Sequence, residues 1–269
     1  FTIIIIFSII ASSTNSKEVK LDKPHILHIE LNGSIQDRVE KMPFDFSEIT
    51  GQDINILGLN EILRNIKKAK TDDNIKGIYI EISMFSAGFA TIEEIRNALL
   101  DFKKSGKFIT TYSEIYMQRA YYLASVADNI CIYPEGAMEL KGLNSTVAFY
   151  TNALKKMGIE PQIIRHGKFK SAVEPFMLTE MSSENREQIE TFMGSIWSKF
   201  LENVASNRNT TIKKLNRIAS NFEIRTPQDA IKLGLVDSLF YRDQLQNHLT
   251  YLMDKENYED VNFISLKKY

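Results

Sequence analysis

Between Ile75 and His166, short apolar runs alternate with amphipathic stretches, and few folds accommodate such an order. "IKGIYIEI" reads as a strand, "TIEEIRNALLDFKKSG" as a helix, "KFITTY" as a strand and "QRAYYLASVAD" as a helix. The cycle continues with "NICIYP" as strand, "AFYTNALKKMG" as helix and "EPQIIRH" as strand. Strands separated by helices are joined by crossovers rather than hairpins, so the expected class is α/β, a mainly parallel sheet with helices on its faces. The helix after "IKGIYIEI" carries its own boundaries: Thr91 as cap, acids early, lysines late and Gly106 at its end. Upstream, "HILHIELNGSI" is a first strand ending at Gly33-Ser34. Leu57, Leu59, Ile62, Leu63 and Ile66 then fall at helical spacing between Asn55 and Lys70, and "TDDN" breaks the pattern.

Beyond His166 the chain becomes mainly helical. Ile189, Phe192, Met193, Ile196, Trp197, Phe200, Leu201 and Val204 form a wide stripe predicted to face a core. "TPQDAIKLGLVDSL" is a short helix started by Thr226-Pro227 and stopped at Gly234. The final "YEDVNFISLKKY" contains an apolar, strand-like run with no closing element after it, so residues 251–269 are expected to begin a connection to a further domain.

Composition excludes some functions. A net charge of -1, with no Lys/Arg block interleaved with aromatics, gives no footprint for nucleic acid. Cys131 is the only cysteine; it has no disulfide partner in the chain and is expected to be a buried small hydrophobe. At the amino end, "FTIIIIFSIIA" is nearly all hydrocarbon, yet as a helix it reaches only about 16 Å, roughly half a bilayer core. Residues 1–16 are therefore read as the trailing part of a signal anchor or the core of a secretory signal, and 17–23 as a linker. A buried strand is the plainer alternative for this run. Either leading reading expects the rest of the chain outside the cytoplasm. No HExxH, Cys-x-x-Cys pair, P-loop, G-x-G-x-x-G or G-x-S-x-G occurs, so no metal or cofactor is expected. His25, His28, His166 and His248 are scattered and read as structural.

One short stretch, "GKFKSAVEPF" from Gly167 to Phe176, is chemically ambiguous. Lys170 and Glu174 stand one helical turn apart, and an ordinary surface ion pair would account for both. A lysine acting as a base must instead titrate near neutrality rather than near its usual value of about 10.4, a difference on the order of 4 kcal/mol. Burial supplies such shifts and an ionised carboxylate beside the amine opposes them. If Lys170 is a base, Glu174 should point elsewhere.

This stretch, with "SGKFITTYSEIYMQRAYYLASVADNICIYPEGAMELKGLNST" before it and "MSSENREQIETFMGSIWSKFLENVASNR" and "AIKLGLVDSL" after it, resembles the amino-terminal half of the long, tandem-repeat signal peptide peptidase A (protease IV) family. The resemblance runs from about Pro24 to Leu239. It implies a crotonase-like or Clp-protease-like domain over residues 24–250, with residues 251–269 leading to a second repeat. It also implies a single-pass serine endopeptidase of the bacterial cytoplasmic membrane, facing outward, that degrades hydrophobic signal peptide remnants with a Ser/Lys dyad. A homo-oligomer, a tetramer of long chains, is implied as well, with no cofactor.

Carried onto this sequence, the general base falls on Lys170, while Gly167, Ser171 and Glu174 shape its loop. The nucleophilic serine would come from the other repeat. Where a catalytic repeat has a Gly-Gly-Ser turn, this chain has "SMFSAGFAT": Gly88 stands at about the serine's position, with Ser83 and Ser86 nearby and Ser86 the possible surrogate. The resemblance therefore implies a base-donating half-site. Two alternatives remain open: a nucleophile-less scaffold or peptide-binding module, and an acyl-CoA enzyme sharing the fold.

Overall fold

The computed structural model describes residues 21–39 and 56–269. The apolar run expected to be an anchor, at 1–16, lies outside the described residues, as does most of the 17–23 linker. Among the described residues no helix is long and apolar enough to cross a membrane. The described residues fall into two compact units, one of residues 21–39, 56–139 and 224–269, the other of residues 140–223.

The first unit is built on a seven-stranded sheet. Its strands are β1 (His25–Gln36), β2 (Ile56–Gly58), β3 (Ile75–Ser86), β4 (Phe108–Tyr116), β5 (Asn129–Met138), β6 (Ser238–Leu239) and β7 (Asn262–Ser265). Their order is β2-β1-β3-β4-β5-β6, β7 also pairs with β1, and every registered pair is parallel. This is the α/β class that the alternating pattern predicts. β3 shows why the strands read as continuous apolar runs: Ile78, Tyr79, Ile80 and Ile82 are all buried, which requires cover on both faces.

The helices α1 (Leu59–Thr71), α2 (Phe89–Lys103) and α3 (Gln118–Ala124) are the crossovers between successive strands. α1 buries Leu59, Ile62, Ile66 and Ala69, while α2 buries Ile92, Ile95, Leu99 and Phe102, each an i, i+3, i+4 stripe. After β5 the chain leaves this unit and returns at Ile224. α8 (Pro227–Lys232) opens on a capping box between Thr226 and Asp229, and Gly234 takes φ +76 behind it, matching the boundaries expected there. α9 (Arg242–Leu252) then lays Leu245 and Leu249 against Ile26, Tyr79, Tyr112 and Cys131. Cys131 is thus the buried small hydrophobe expected, and burial pushes its thiol up to about 12.

Two boundaries differ from expectation in this unit. Ile56–Gly58 is a short strand rather than the start of the helix, which begins at Leu59. α2 begins at Phe89 with Gly88 as its cap, not at a Thr91 cap, so strand and helix join through only Ala87 and Gly88. The strand-like run near the carboxyl end does form a strand, β7, whose residues 262–265 pair with His25–His28 of β1.

The second unit is helical: α4 (Thr151–Lys156), α5 (Glu174–Met177), α6 (Ser183–Asn207) and α7 (Ile212–Asn221), with a 3-10 turn at Ser171–Val173. The predicted strand "EPQIIRH" does not form. Residues 159–166 carry no regular element, and Ile164 is 98% exposed. Within this unit there is no sheet for such a strand to join, so its alternation has no partner. The stripe on α6 is likewise only partly a core face. Phe200, Leu201 and Val204 are buried, whereas Phe192 is 66% exposed.

Candidate active site

Gly167 opens the loop that presents Lys170. Its φ of +91 lies in a region that side-chain-bearing residues avoid, and it lets the chain reverse through a turn at Lys168 and Phe169. Lys170 follows with φ -87 and ψ 74, just before the Ser171–Val173 turn, and Pro175 sits in the first turn of α5 where its missing N–H costs nothing. Gly167 thus stands at the reversal and Ser171 at the start of the turn.

Glu174 is fully buried and faces the amino end of α6. Its Oε1 accepts from the Ser182 hydroxyl at 2.5 Å, and its Oε2 accepts from Asn185 Nδ2 at 2.9 Å and from the Ser182 N–H at 3.4 Å. Arg165 Nη2 stands 3.7 Å from Oε1. Burial alone would push this carboxyl up, but the donors from Ser182 and Asn185, helped by Arg165, outweigh it and hold the group below its ordinary value. Ser182 is also the cap of α6, its hydroxyl accepting from the Asn185 N–H at 3.2 Å. One serine therefore serves helix and carboxylate together. No ion pair joins Lys170 to Glu174 among the described residues, and Lys170 and Lys168 are both exposed. The surface pair that would have made Lys170 ordinary is not formed.

Gly88 lies in the first unit, between the carboxyl end of β3 and the first turn of α2. Free backbone N–H groups at such a helix start favour developing negative charge. Arg119 Nη1 donates to the Ala87 carbonyl at 3.2 Å, which fixes the turn from the other side. A Cβ placed on Gly88 would meet only Thr91 Oγ1, at 3.8 Å, so the position has room for a side chain and simply bears none. Ser83 and Ser86 are exposed on the last residues of β3.

Beside them is a cleft of about 220 Å³, lined by Glu81, Ser83, Met84, Tyr112, Ile115 and Arg242. It opens where β3 and β4 part: their pairing ends at Glu81 and Tyr112, after which the Ser113 hydroxyl lies within hydrogen-bonding reach of the Ile82 and Ile115 carbonyls, at 2.7 and 2.8 Å. In parallel sheets this carboxyl end is the usual place for ligands. Of the lining residues, Arg242 Nη2 donates to Glu81 Oε1 at 2.6 Å, while His28 Nε2, outside the lining, lies 3.4 Å from Glu81 Oε2. His28 and then Arg242 outweigh burial and hold the Glu81 carboxyl down at about 2. Among the described residues no cluster of His, Cys, Asp or Glu is arranged to hold a metal ion.

Sequence reasoning singled out Gly167, Lys170, Ser171 and Glu174 but missed three groups that shape the loop: Arg165, Ser182 and Asn185. Ser182 was open to detection, since a serine just ahead of a helical run is a cap signal. Arg165 and Asn185 carried no such mark, because their roles depend on contacts that spacing does not reveal.

The sequence profile of Peptidase family S49 matches residues 101–255, which include the Gly167–Phe176 loop. The chain is 29% identical to Protease 4 of Haemophilus influenzae, an alignment covering 100% of this chain and 46% of that protein. It is 30% identical to the chloroplastic serine protease SPPA of Arabidopsis thaliana, over 93% of this chain and 35% of the relative. With Protease 4 of Salmonella typhi the identity is 35%, over 58% of this chain and 26% of the relative. The chain thus spans less than half the length of these relatives. The profile covers more than half of it, from α2 through the lysine loop to α9, and on that ground the chain belongs to Peptidase family S49.

Proposed function

We propose that this chain is the base-donating half of a serine endopeptidase that uses a Ser/Lys dyad to degrade hydrophobic signal peptide remnants. The observation that carries this reading is the direction of Glu174. Its carboxylate is occupied by Ser182 and Asn185, which leaves the Lys170 amine exposed and without that counter-ion. An amine free of a carboxylate partner is the one that burial by another chain segment or a bound peptide could bring toward neutrality. The second repeat would supply the serine hydroxyl. Lys170 would take its proton as the oxygen attacks the peptide carbonyl, and return it to the leaving amine. Backbone N–H groups at a strand-to-helix turn would hold the oxyanion.

Gly88 supports a division of labour between repeats, because the position equivalent to the nucleophile has space but no hydroxyl. On the same reading, the apolar residues 1–16 tether the protein to the bacterial cytoplasmic membrane with the peptidase domain outside the cytoplasm, and long chains assemble as a tetramer. A second reading, a nucleophile-less peptide-binding module, also draws on the bare Gly88 turn and the open cleft at Glu81 and Arg242.

The test is cleavage of an apolar signal peptide by the full-length protein. Lys170→Ala is expected to abolish turnover while leaving the unfolding curve unchanged, and Lys168→Ala to have a mild effect. Parental turnover in the Lys170→Ala protein would refute the dyad. Binding of the same peptide with no turnover in the parent would favour the binding module.

A further inference from the structure

The segment from Arg165 to Lys170 contains no helix or strand, so side chains must hold its shape. The Arg165 guanidinium makes several such contacts. Its Nε donates to the Gly167 carbonyl at 3.2 Å and its Nη2 to the Lys168 carbonyl at 2.5 Å. The same Nη2 lies 3.7 Å from Glu174 Oε1, and Nη1 reaches Met177 Sδ at 4.0 Å. A planar fork of fixed geometry thus meets two carbonyls of the turn and the carboxylate that Ser182 and Asn185 anchor. Gly167 completes the arrangement, since its φ of +91 forms the bend that brings successive carbonyls to one guanidinium.

We propose that Arg165 is the positioning residue of this site: by tying the Gly167 and Lys168 carbonyls to the buried Glu174 carboxylate, it sets the direction in which Lys170 leaves the turn. The proposal rests on the reading of Lys170 as the proton acceptor. Arg165 itself touches no reacting atom. Its effect passes through the backbone to Lys170, and reaction rates are sensitive to such placement because a displacement of about 1 Å can cost on the order of 100-fold. A lysine at position 165 would keep the charge and lose the fork, so geometry and charge are separable.

The experiment compares Arg165→Ala, Arg165→Lys and Lys170→Ala with the parent in the full-length protein, by peptide cleavage and by hydrogen exchange of backbone amides. Arg165→Ala is expected to lower kcat about 100-fold with little change in KM, and Arg165→Lys to recover only a small part of it. Exchange should quicken in residues 167–173 while α7 and the sheet keep parental protection. The proposal is overturned if Arg165→Ala keeps parental exchange in 167–173, or if its kcat stays within about twofold of the parent while Lys170→Ala is inactive. Faster exchange throughout α6 and α7 would also overturn it, because Arg165 would then be a general structural support. If Lys170→Ala remains active, it is the base assignment that fails, and exchange in 167–173 alone decides whether the clamp exists.

Discussion

Two carboxylates show how local donors decide the state of a residue. Glu81 and Glu174 both sit below their ordinary values although burial pushes each of them up. At Glu81 the opposing groups are His28 and Arg242, which leave the carboxyl at about 2. A carboxyl depressed in the folded state binds its proton more readily in the unfolded chain, so it stabilises the fold above the unfolded value and ceases to do so as pH falls through the folded one. For Glu81 that window runs from 4.5 down to about 2. The expected outcome is a urea midpoint that falls as pH is lowered through this range, with a shallower fall in Glu81→Gln. Equal slopes in both proteins would show that the contacts of Glu81 with His28 and Arg242 contribute nothing measurable to folding.

At the scale of elements, the start of α6 and the lysine loop are one construction, because Ser182 both caps the helix and donates to Glu174. Losing an ordinary serine cap costs about 1 kcal/mol, and stripping a donor from a buried carboxylate adds about 1–3 kcal/mol. Ser182→Ala should therefore destabilise by more than a cap alone. A cycle with Glu174→Gln, read from urea unfolding, should give a coupling within about 0.5–3 kcal/mol, whereas additive losses would mean that cap and carboxylate are independent.

The sequence made some of these elements legible and hid others for a physical reason. β3, α2, β4, α3 and β5 were readable because each is buried by neighbours that follow the same periodicity. "EPQIIRH" had the composition of a strand but no sheet to join within its unit, and Ile164 stands exposed where alternation predicted burial. The α6 stripe was readable as apolar, yet only Phe200, Leu201 and Val204 of it are buried and Phe192 is exposed. The lysine loop could be located from its motif, but the inward turn of Glu174 and the fork of Arg165 are tertiary contacts with no periodic trace.

For the molecule as a whole, the exposed edge of a parallel sheet is a hazard, since unpaired backbone groups invite other chains. Here β1 has β3 on one side, while β7 covers its first residues, His25–His28, and β2 its last, Ser34–Gln36. The segment after β7 is fastened to α1 as well. The buried Asn65 Nδ2 donates to the Leu266 carbonyl at 2.7 Å, Lys68 Nζ to the Tyr269 carbonyl at 3.0 Å, and the Tyr269 hydroxyl to Asp72 Oδ2 at 2.9 Å. The Leu266 N–H returns to the His28 carbonyl at 3.2 Å, so this one residue links helix and strand. Leu266 is itself buried, and Leu266→Ala should cost about 2–5 kcal/mol in urea unfolding of the full-length protein. It should also quicken exchange at His25–His28 while leaving β4 and β5 protected. A loss under about 0.5 kcal/mol, the range of ordinary surface substitutions, would mean that the residues after β7 rest on the sheet without helping to hold its edge.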